Sequence, residues 1–181
     1  VIAFYAPSKT FSLAGLGGSY HIIYNQYLRD RVVRQSGLSL YNDANVLSVH
    51  ALTGAFSPEG EQWADEMIAV IDENLRYACD FIAENFPGVE TMRPQGTYML
   101  FLDCAAFCRD RGVSITELQH RGVRCGVIWQ NGEEFVYPDS IRMNLALPKS
   151  RLVEAMERLK KYVFIKKVTG YSCIFKLRVL N

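Results

Sequence analysis

The sequence predicts an α/β fold, on three observations. Two apolar, strand-like runs, residues 1–5 and 20–24, flank a glycine-rich loop. One amphipathic stripe then continues from Pro58 to Phe86, longer than an ordinary globular helix. From Val89 onward the texture changes to short strands and turns, closed by a further helix. At about 1.5 Å per residue the long helix can span one domain and bridge two.

Taken in order, residues 1–6 are β-branched and aromatic and stop at Pro7, which reads as a buried strand. Residues 7–18 read as loop, with Thr10 and Ser12 able to bond locally and Gly15, Gly17 and Gly18 open to unusual backbone angles. Residues 19–24 read as a second strand. Leu28, Val32 and Val33 give residues 26–35 an inward helical face that ends at Gly37. Residues 41–55 read as a helix with almost no polar face, and are therefore expected to be well buried. Ser57-Pro58 is a helix start, a capping hydroxyl followed by a residue suited to the first turn. The stripe Trp63, Met67, Val70, Ile71, Leu75, Ala78, Cys79 and Ile82 follows at spacings of three and four, and Pro87-Gly88 ends it.

Beyond that point, residues 89–92 read as a short strand and 96–102 as a stronger one, with Tyr98, Leu100 and Leu102 on one face. Ser114-Ile115-Thr116-Glu117 is a capping box opening a helix to about His120. Residues 123–129 read as a strand, Asn131-Gly132 as a turn, and residues 141–147 as a strand. That last strand puts Ile141, Met143, Leu145 and Leu147 on one side and Arg142, Asn144 and Ala146 on the other. A helix over residues 150–162 buries Leu152, Val153, Met156 and Leu159.

Composition narrows the class. With 181 residues, 49% hydrophobic, 22% charged and a net charge of +1, the chain reads as an ordinary soluble globular protein. That balance points neither to nucleic acid nor to a membrane, and no apolar run approaches the length of a membrane span. No signal peptide is expected at the N-terminus, and the strand-like opening reads as a start in mid-domain. Cys79, Cys104, Cys108, Cys125 and Cys173 read as reduced thiols of a cytoplasmic protein, with no ligand spacing for zinc. From Lys160 onward there are six Lys or Arg and no acid, which leaves 14 basic and 19 acidic residues, or −5, in the rest. Residues 163–181 therefore stand apart as a basic, β-prone tail, either an added strand or a non-native extension.

Lys9 is the first chemical candidate. A lysine at the end of a buried strand must be paired or lose its charge, and a desolvated lysine attacks carbonyls. Arg142 is the second. From the polar side of a strand it offers a two-pronged fork for a carboxylate. The histidines His21, His50 and His120 are isolated, and Tyr20, Tyr24 and Trp129 read as pocket lining or core. Gly15-x-Gly17-Gly18 is a weak phosphate-cradle pattern, since a strand rather than a helix follows it.

The string from Ser8 to Tyr20, SKTFSLAGLGGSY, resembles the lysine segment of fold-type I pyridoxal-phosphate enzymes of the class I/II aminotransferase family. It is most similar to the bacterial cystathionine beta-lyase (carbon–sulfur lyase) branch. Arg142-Met143-Asn144-Leu145-Ala146 resembles the family's Arg-x-Asn-x-Ala carboxylate segment. The resemblance covers residues 1 to about 161 and corresponds to the C-terminal half of such enzymes. It implies a fold made of the end of a large αβα domain (residues 1–55), a connecting helix (56–86) and a small α+β domain (87–162). It implies pyridoxal 5′-phosphate as cofactor, amino acids as substrates, and a homodimer. The matching Lys9 would form the internal aldimine and move the α-proton, Ser8 would bond near the phosphate, and Arg142 would take the substrate carboxylate. Many aminotransferases carry a phosphate-holding serine three residues before the lysine and an arginine eight after it; here those positions are Ala6 and Gly17. Transaminase and carbon–sulfur lyase both stay open, as does a truncated α/β fragment serving as a non-catalytic interaction module.

Overall fold

The computed structural model describes residues 1–37 and 44–165. It divides into two compact units, Val1–Ala69 and Val70–Asn181, with the division inside one long helix. Each unit has its own sheet.

In the first unit, β1 (Ile2–Tyr5) pairs antiparallel with β2 (Tyr20–Ile23), Ile2 opposite Ile23 and Tyr5 opposite Tyr20. Helix α1 (Gln26–Ser36) follows, its N-terminus capped by Asn25, whose side chain accepts from Leu28 N at 3.0 Å. Helix α2 (Val46–Ala55) is capped in the same way by Asn45. The long helix α3 (Pro58–Asn85) begins here, with Ser57 Oγ accepting from Gly60 N at 3.2 Å.

Three expectations fail in this unit. Strand β1 is not buried: Phe4 is 71% exposed, and a two-stranded ribbon has no third layer to cover both faces. Helix α2 is not buried either. Ser48 and Ala55 face inward while Val46, Leu47 and Val49 are left to solvent, because in this chain only one side of the helix meets a neighbour. Val33 of α1 likewise points outward. Residues 41–43 of the expected helix lie outside the described residues.

The second unit is built around a four-stranded antiparallel sheet in the order β3-β4-β6-β5. These strands are β3 (Glu90–Thr91), β4 (Met99–Asp103), β5 (Gln130–Asn131) and β6 (Ser140–Asn144). Leu100, Leu102, Ile141 and Met143 project from one face into a core with Leu75, Ala78 and Ile82 of α3. Helix α6 (Lys149–Tyr162) adds Leu152, Met156 and Leu159. Helices α4 (Ala105–Arg111) and α5 (Ile115–Arg124) complete the unit. The capping box is real, Ser114 Oγ accepting from Glu117 N at 3.2 Å, but its helix runs on to Arg124.

The strand expected over residues 123–129 is therefore absent. Its first residues finish α5, Gly126 turns the chain at φ +78°, and only Gln130 and Asn131 pair with β6. Trp129 packs over Gly122, where a Cβ would land in the indole ring. Asn131-Gly132 opens a single 3₁₀ turn, Gly132–Phe135, with Asn131 as its cap. Strand β4 starts at Met99 rather than residue 96, since Thr97 sits at φ +73°. Val163 and Phe164, the first residues of the basic tail, are fully buried, and Phe164 stacks on Phe86 at 4.3 Å. Residues 166–181 of that tail lie outside the described residues.

Candidate functional site

The lysine segment is a closed loop. Pro7 O accepts from Phe11 N at 2.9 Å and Ser8 O accepts from Leu13 N at 3.0 Å, so Lys9 and Thr10 lie at the bend. Ser12, at φ +55°, completes the reversal. The loop is anchored by Phe11, which stacks on Trp63 at 5.7 Å and meets Phe56 edge-on. A cavity of about 40 Å³ lies under it, bounded by Ser8, Leu13, Gly18, Ser48 and Leu52 among others.

The glycines serve the path beyond the lysine. Gly17 takes φ +57°, a left-handed angle that a side chain resists. The Ser48 hydroxyl then lies against the carbonyls of Leu16 and Gly17, 2.9 Å from the latter, and Asn45 Nδ2 donates to Leu16 O at 3.1 Å. The capping residue of α2 thus also holds the loop. These bonds use the loop's carbonyls, and a strand follows, so nothing here favours a nucleotide cradle.

Lys9 is exposed, and neither its Nζ nor the Ser8 hydroxyl has a partner among the described residues. The desolvation expected from a buried strand is absent, because β1 itself is open. What the loop presents is an exposed primary amine beside a hydroxyl, and that donor set suits an aldehyde-bearing phosphate ester.

Arg142 belongs to the other unit. It lies on β6 opposite Phe101 of β4 and Gln130 of β5, on the sheet face away from the core. Its Nη1 donates to Gln130 Oε1 at 2.9 Å, and its guanidinium carbon is 4.4 Å from the centroid of the Phe135 ring. Phe101 meets Phe135 edge-on at 5.8 Å and lies 6.1 Å from Tyr137. The Tyr137 hydroxyl donates to Asp103 Oδ2 at 2.7 Å, while Asp103 Oδ1 accepts from Ala105 N at 2.9 Å. That bond to a carboxylate holds the Tyr137 phenol above its ordinary range. Arg142, Tyr137, Phe101, Met99 and Glu90 border an open hollow of about 880 Å³.

Asn144 does not reach into this hollow as a ligand. Its Oδ1 accepts from Ala146 N at 2.9 Å, ending the strand two residues past the arginine. Asn74 of α3, buried, donates from Nδ2 to Leu145 O at 3.0 Å and Leu147 O at 2.8 Å, fixing the chain just beyond. Of the remaining aromatic candidates, Tyr20 stacks on Tyr5, Tyr24 is exposed and Trp129 is core. His21 packs against Phe4, and His50 and His120 are exposed.

Lys9 and Ser8 are thus neighbours in one unit, and Arg142 stands in the other with Gln130, Phe135, Tyr137 and Asp103. Those four escaped the sequence reading. The missing signal was register: with residues 123–129 read as strand, Gln130 had no place opposite Arg142.

Fold and sequence together define the class of protein to which this α/β chain belongs. The chain belongs to the class I and II aminotransferase family, whose model matches residues 1–159. It is 32% identical over 158 residues to the cystathionine beta-lyase PatB of Bacillus subtilis, covering 86% of this chain and 40% of that protein. Cystalysin from Treponema denticola, whose crystal structure contains a pyridoxal 5′-phosphate cofactor, superimposes with a TM-score of 0.76 at 31% identity, over 88% of this chain and 40% of that one. The pyridoxal-phosphate-bound C–S lyase from Staphylococcus hominis gives a TM-score of 0.79 at 27% identity, over 92% and 43%. The chain therefore spans about 40% of the length of the relatives that it matches. The fold is that of the matching part of pyridoxal-phosphate-dependent fold-type I enzymes, and a non-catalytic module is not favoured.

Proposed function

We propose that this chain carries the lysine-bearing and carboxylate-binding parts of a pyridoxal-phosphate-dependent aminotransferase or carbon–sulfur β-lyase acting on amino acids. The observation that carries the reading is the closed loop over residues 7–13, which presents the exposed Lys9 amine, without a partner among the described residues, beside the Ser8 hydroxyl. When bound, pyridoxal phosphate supplies an aldehyde for the amine and an electron sink for the substrate's Cα. Lys9 Nζ would hold the cofactor and would accept and return the substrate's α-proton. The Ser8 hydroxyl donates toward the phosphate. Arg142 binds the α-carboxylate with its remaining guanidinium N–H groups and so orients the amino acid. The first unit is then the cofactor part, and the second the substrate-carboxylate part, of a homodimeric enzyme. Its place is the cytoplasm, in keeping with free thiols at Cys79, Cys104, Cys108 and Cys125. Among the described residues no helix is long and apolar enough to cross a membrane.

The test is reductive trapping. The chain is incubated with pyridoxal phosphate, reduced with borohydride and mapped by peptide mass spectrometry. The label is expected on Lys9 above all other lysines and is lost from that peptide in Lys9→Ala. Equal labelling of Lys9, Lys149, Lys160 and Lys161 overturns the reading.

A further inference from the structure

The arginines of the second unit divide by what holds them. Arg76 and Arg93 pair with Asp72, Arg121 with Glu117, and Arg151 and Arg158 with Glu154. Arg109, Arg111 and Arg124 have no ion pair among the described residues, Arg111 donating to Ile165 O at 2.7 Å beside the Phe107 ring. Arg142, half-buried on its strand and bordering the hollow, also meets no carboxylate among the described residues. It is gripped by neutral groups instead: the amide oxygen of Gln130 at 2.9 Å and the ring face of Phe135 at 4.4 Å. Asp103 borders the same hollow, but both its oxygens are taken, one by the Tyr137 hydroxyl and one by the Ala105 amide.

Resting on the assignment of Arg142 to a carboxylate, we infer that Gln130 and Phe135 are positioning residues that fix its guanidinium without neutralising it. The physical case is a contrast of costs. A fork left loose must be ordered each time a carboxylate binds, which costs rotamer entropy. A fork ordered by an internal carboxylate is rigid, but its charge is already spent and the incoming ligand must displace that partner. A neutral amide and a π-face order the group and leave its net charge and most of its five N–H donors for the ligand. Phe135 is itself set by the Asn131 cap and by Gly132, where any Cβ would collide with Ser140 and the Tyr137 carbonyl. Gln130 is set by its register opposite Arg142.

The discriminating variant is Gln130→Glu, nearly the same shape with a charge added. A residue serving only to brace the strand is replaced well by Glu and poorly by Ala. A neutral positioning residue behaves in the opposite order, since the introduced carboxylate would occupy the cation. The full chain is titrated with sodium propionate against chloride at constant ionic strength, following by NMR the backbone amide signals of Met99, Phe101 and Tyr137, which border the hollow. Far-UV circular dichroism and the melting temperature show whether each variant is folded. Wild type is expected to show a saturable shift that Arg142→Ala abolishes. Gln130→Ala weakens binding roughly three- to tenfold, the range of one lost hydrogen bond, and Gln130→Glu weakens it further, beyond tenfold. Phe135→Leu, which keeps the apolar bulk and removes the ring face, weakens it by a smaller factor. If wild type shows no saturable shift, or Arg142→Ala keeps the propionate response seen elsewhere in the hollow, the carboxylate assignment itself falls. If Arg142→Ala abolishes binding but Gln130→Glu binds as well as wild type, the assignment stands and the positioning inference is wrong.

Discussion

The two units answer the same problem, where to put apolar side chains, in different ways. In the second, Leu75, Ile82, Leu100, Leu102, Leu118, Ile141, Met156 and Leu159 share one continuous core between sheet and helices. In the first, the buried apolar side chains among the described residues are only Pro7, Ile23 and Ala55, while Tyr24, Val46 and Leu47 are turned to solvent. Yet the two regions are similar in apolar content along the chain. Apolarity states that a side chain is fit for burial; it does not state what buries it. The second unit supplies its own cover, and the first does not within this chain.

The sharpest way to break this contrast is amide hydrogen exchange. Amides of β4 and β6 are expected to exchange only with global opening, while those of β1 and β2 exchange through local opening of near-zero cost, a difference of at least about a hundredfold in protection. Equal protection would erase the distinction. Next in size are core truncations. Leu102→Ala, at a fully buried site, should cost about 2–5 kcal/mol in urea unfolding. Leu47→Ala, on the exposed side of α2, should stay within about 0.5 kcal/mol. A glycine pair follows. Gly122→Ala drives a methyl into Trp129 and should cost about 1–3 kcal/mol, whereas Gly15, with nothing near its missing Cβ, should accept alanine at little cost, as thermal melts would show.

The smallest effect concerns pH. The bond to Asp103 raises the Tyr137 pKa above 10.0 in the folded chain. Its contribution to stability is therefore fully present below the unfolded value and is lost as pH rises through the folded one. Because the phenol is largely exposed, the stability term is small, so the titration itself is the readout. The Tyr137 ¹³Cζ signal should titrate above 10, and Asp103→Asn should bring it back toward that ordinary value. An unchanged midpoint in Asp103→Asn would detach the tyrosine from that carboxylate.

What could be read from the sequence was whatever local chemistry fixes. The Ser57 and Ser114 caps, the stripe of α3 from Ile71 to Ile82 and the alternation along β4 and β6 depend on neighbours three or four residues away or on a period of two, and they stand where expected. Trp63 and Val70, at the start of the stripe, are exposed. The Lys9 motif and Arg142 were legible as residue types at motif spacing. The strand expected over 123–129 was not there because Val123, Val127 and Trp129 have β-forming side chains but sit on a helix end and a turn made by Gly122 and Gly126. The company of Arg142 was illegible for a related reason. Gln130 and Phe101 lie twelve and forty-one positions before it, and only strand register brings them alongside. The openness of Lys9 was hidden as well, since burial of β1 depends on layers that its own residues do not encode.

The clamp of Asn74 on Leu145 and Leu147 has a consequence for how this sequence can vary. The chain just past the far end of β6 is held by a helix seventy-one residues upstream. Inserting one residue between Asn74 and Ile82 would swing the amide by about 100° and shift it by about 1.5 Å relative to the core contacts of α3. Both carbonyls would lose the Asn74 amide, Leu145 O keeping only the bond from Leu147 N. The turns between Asn74 and Ile82 must keep their residue count for this clamp on the chain beyond Arg142 to hold.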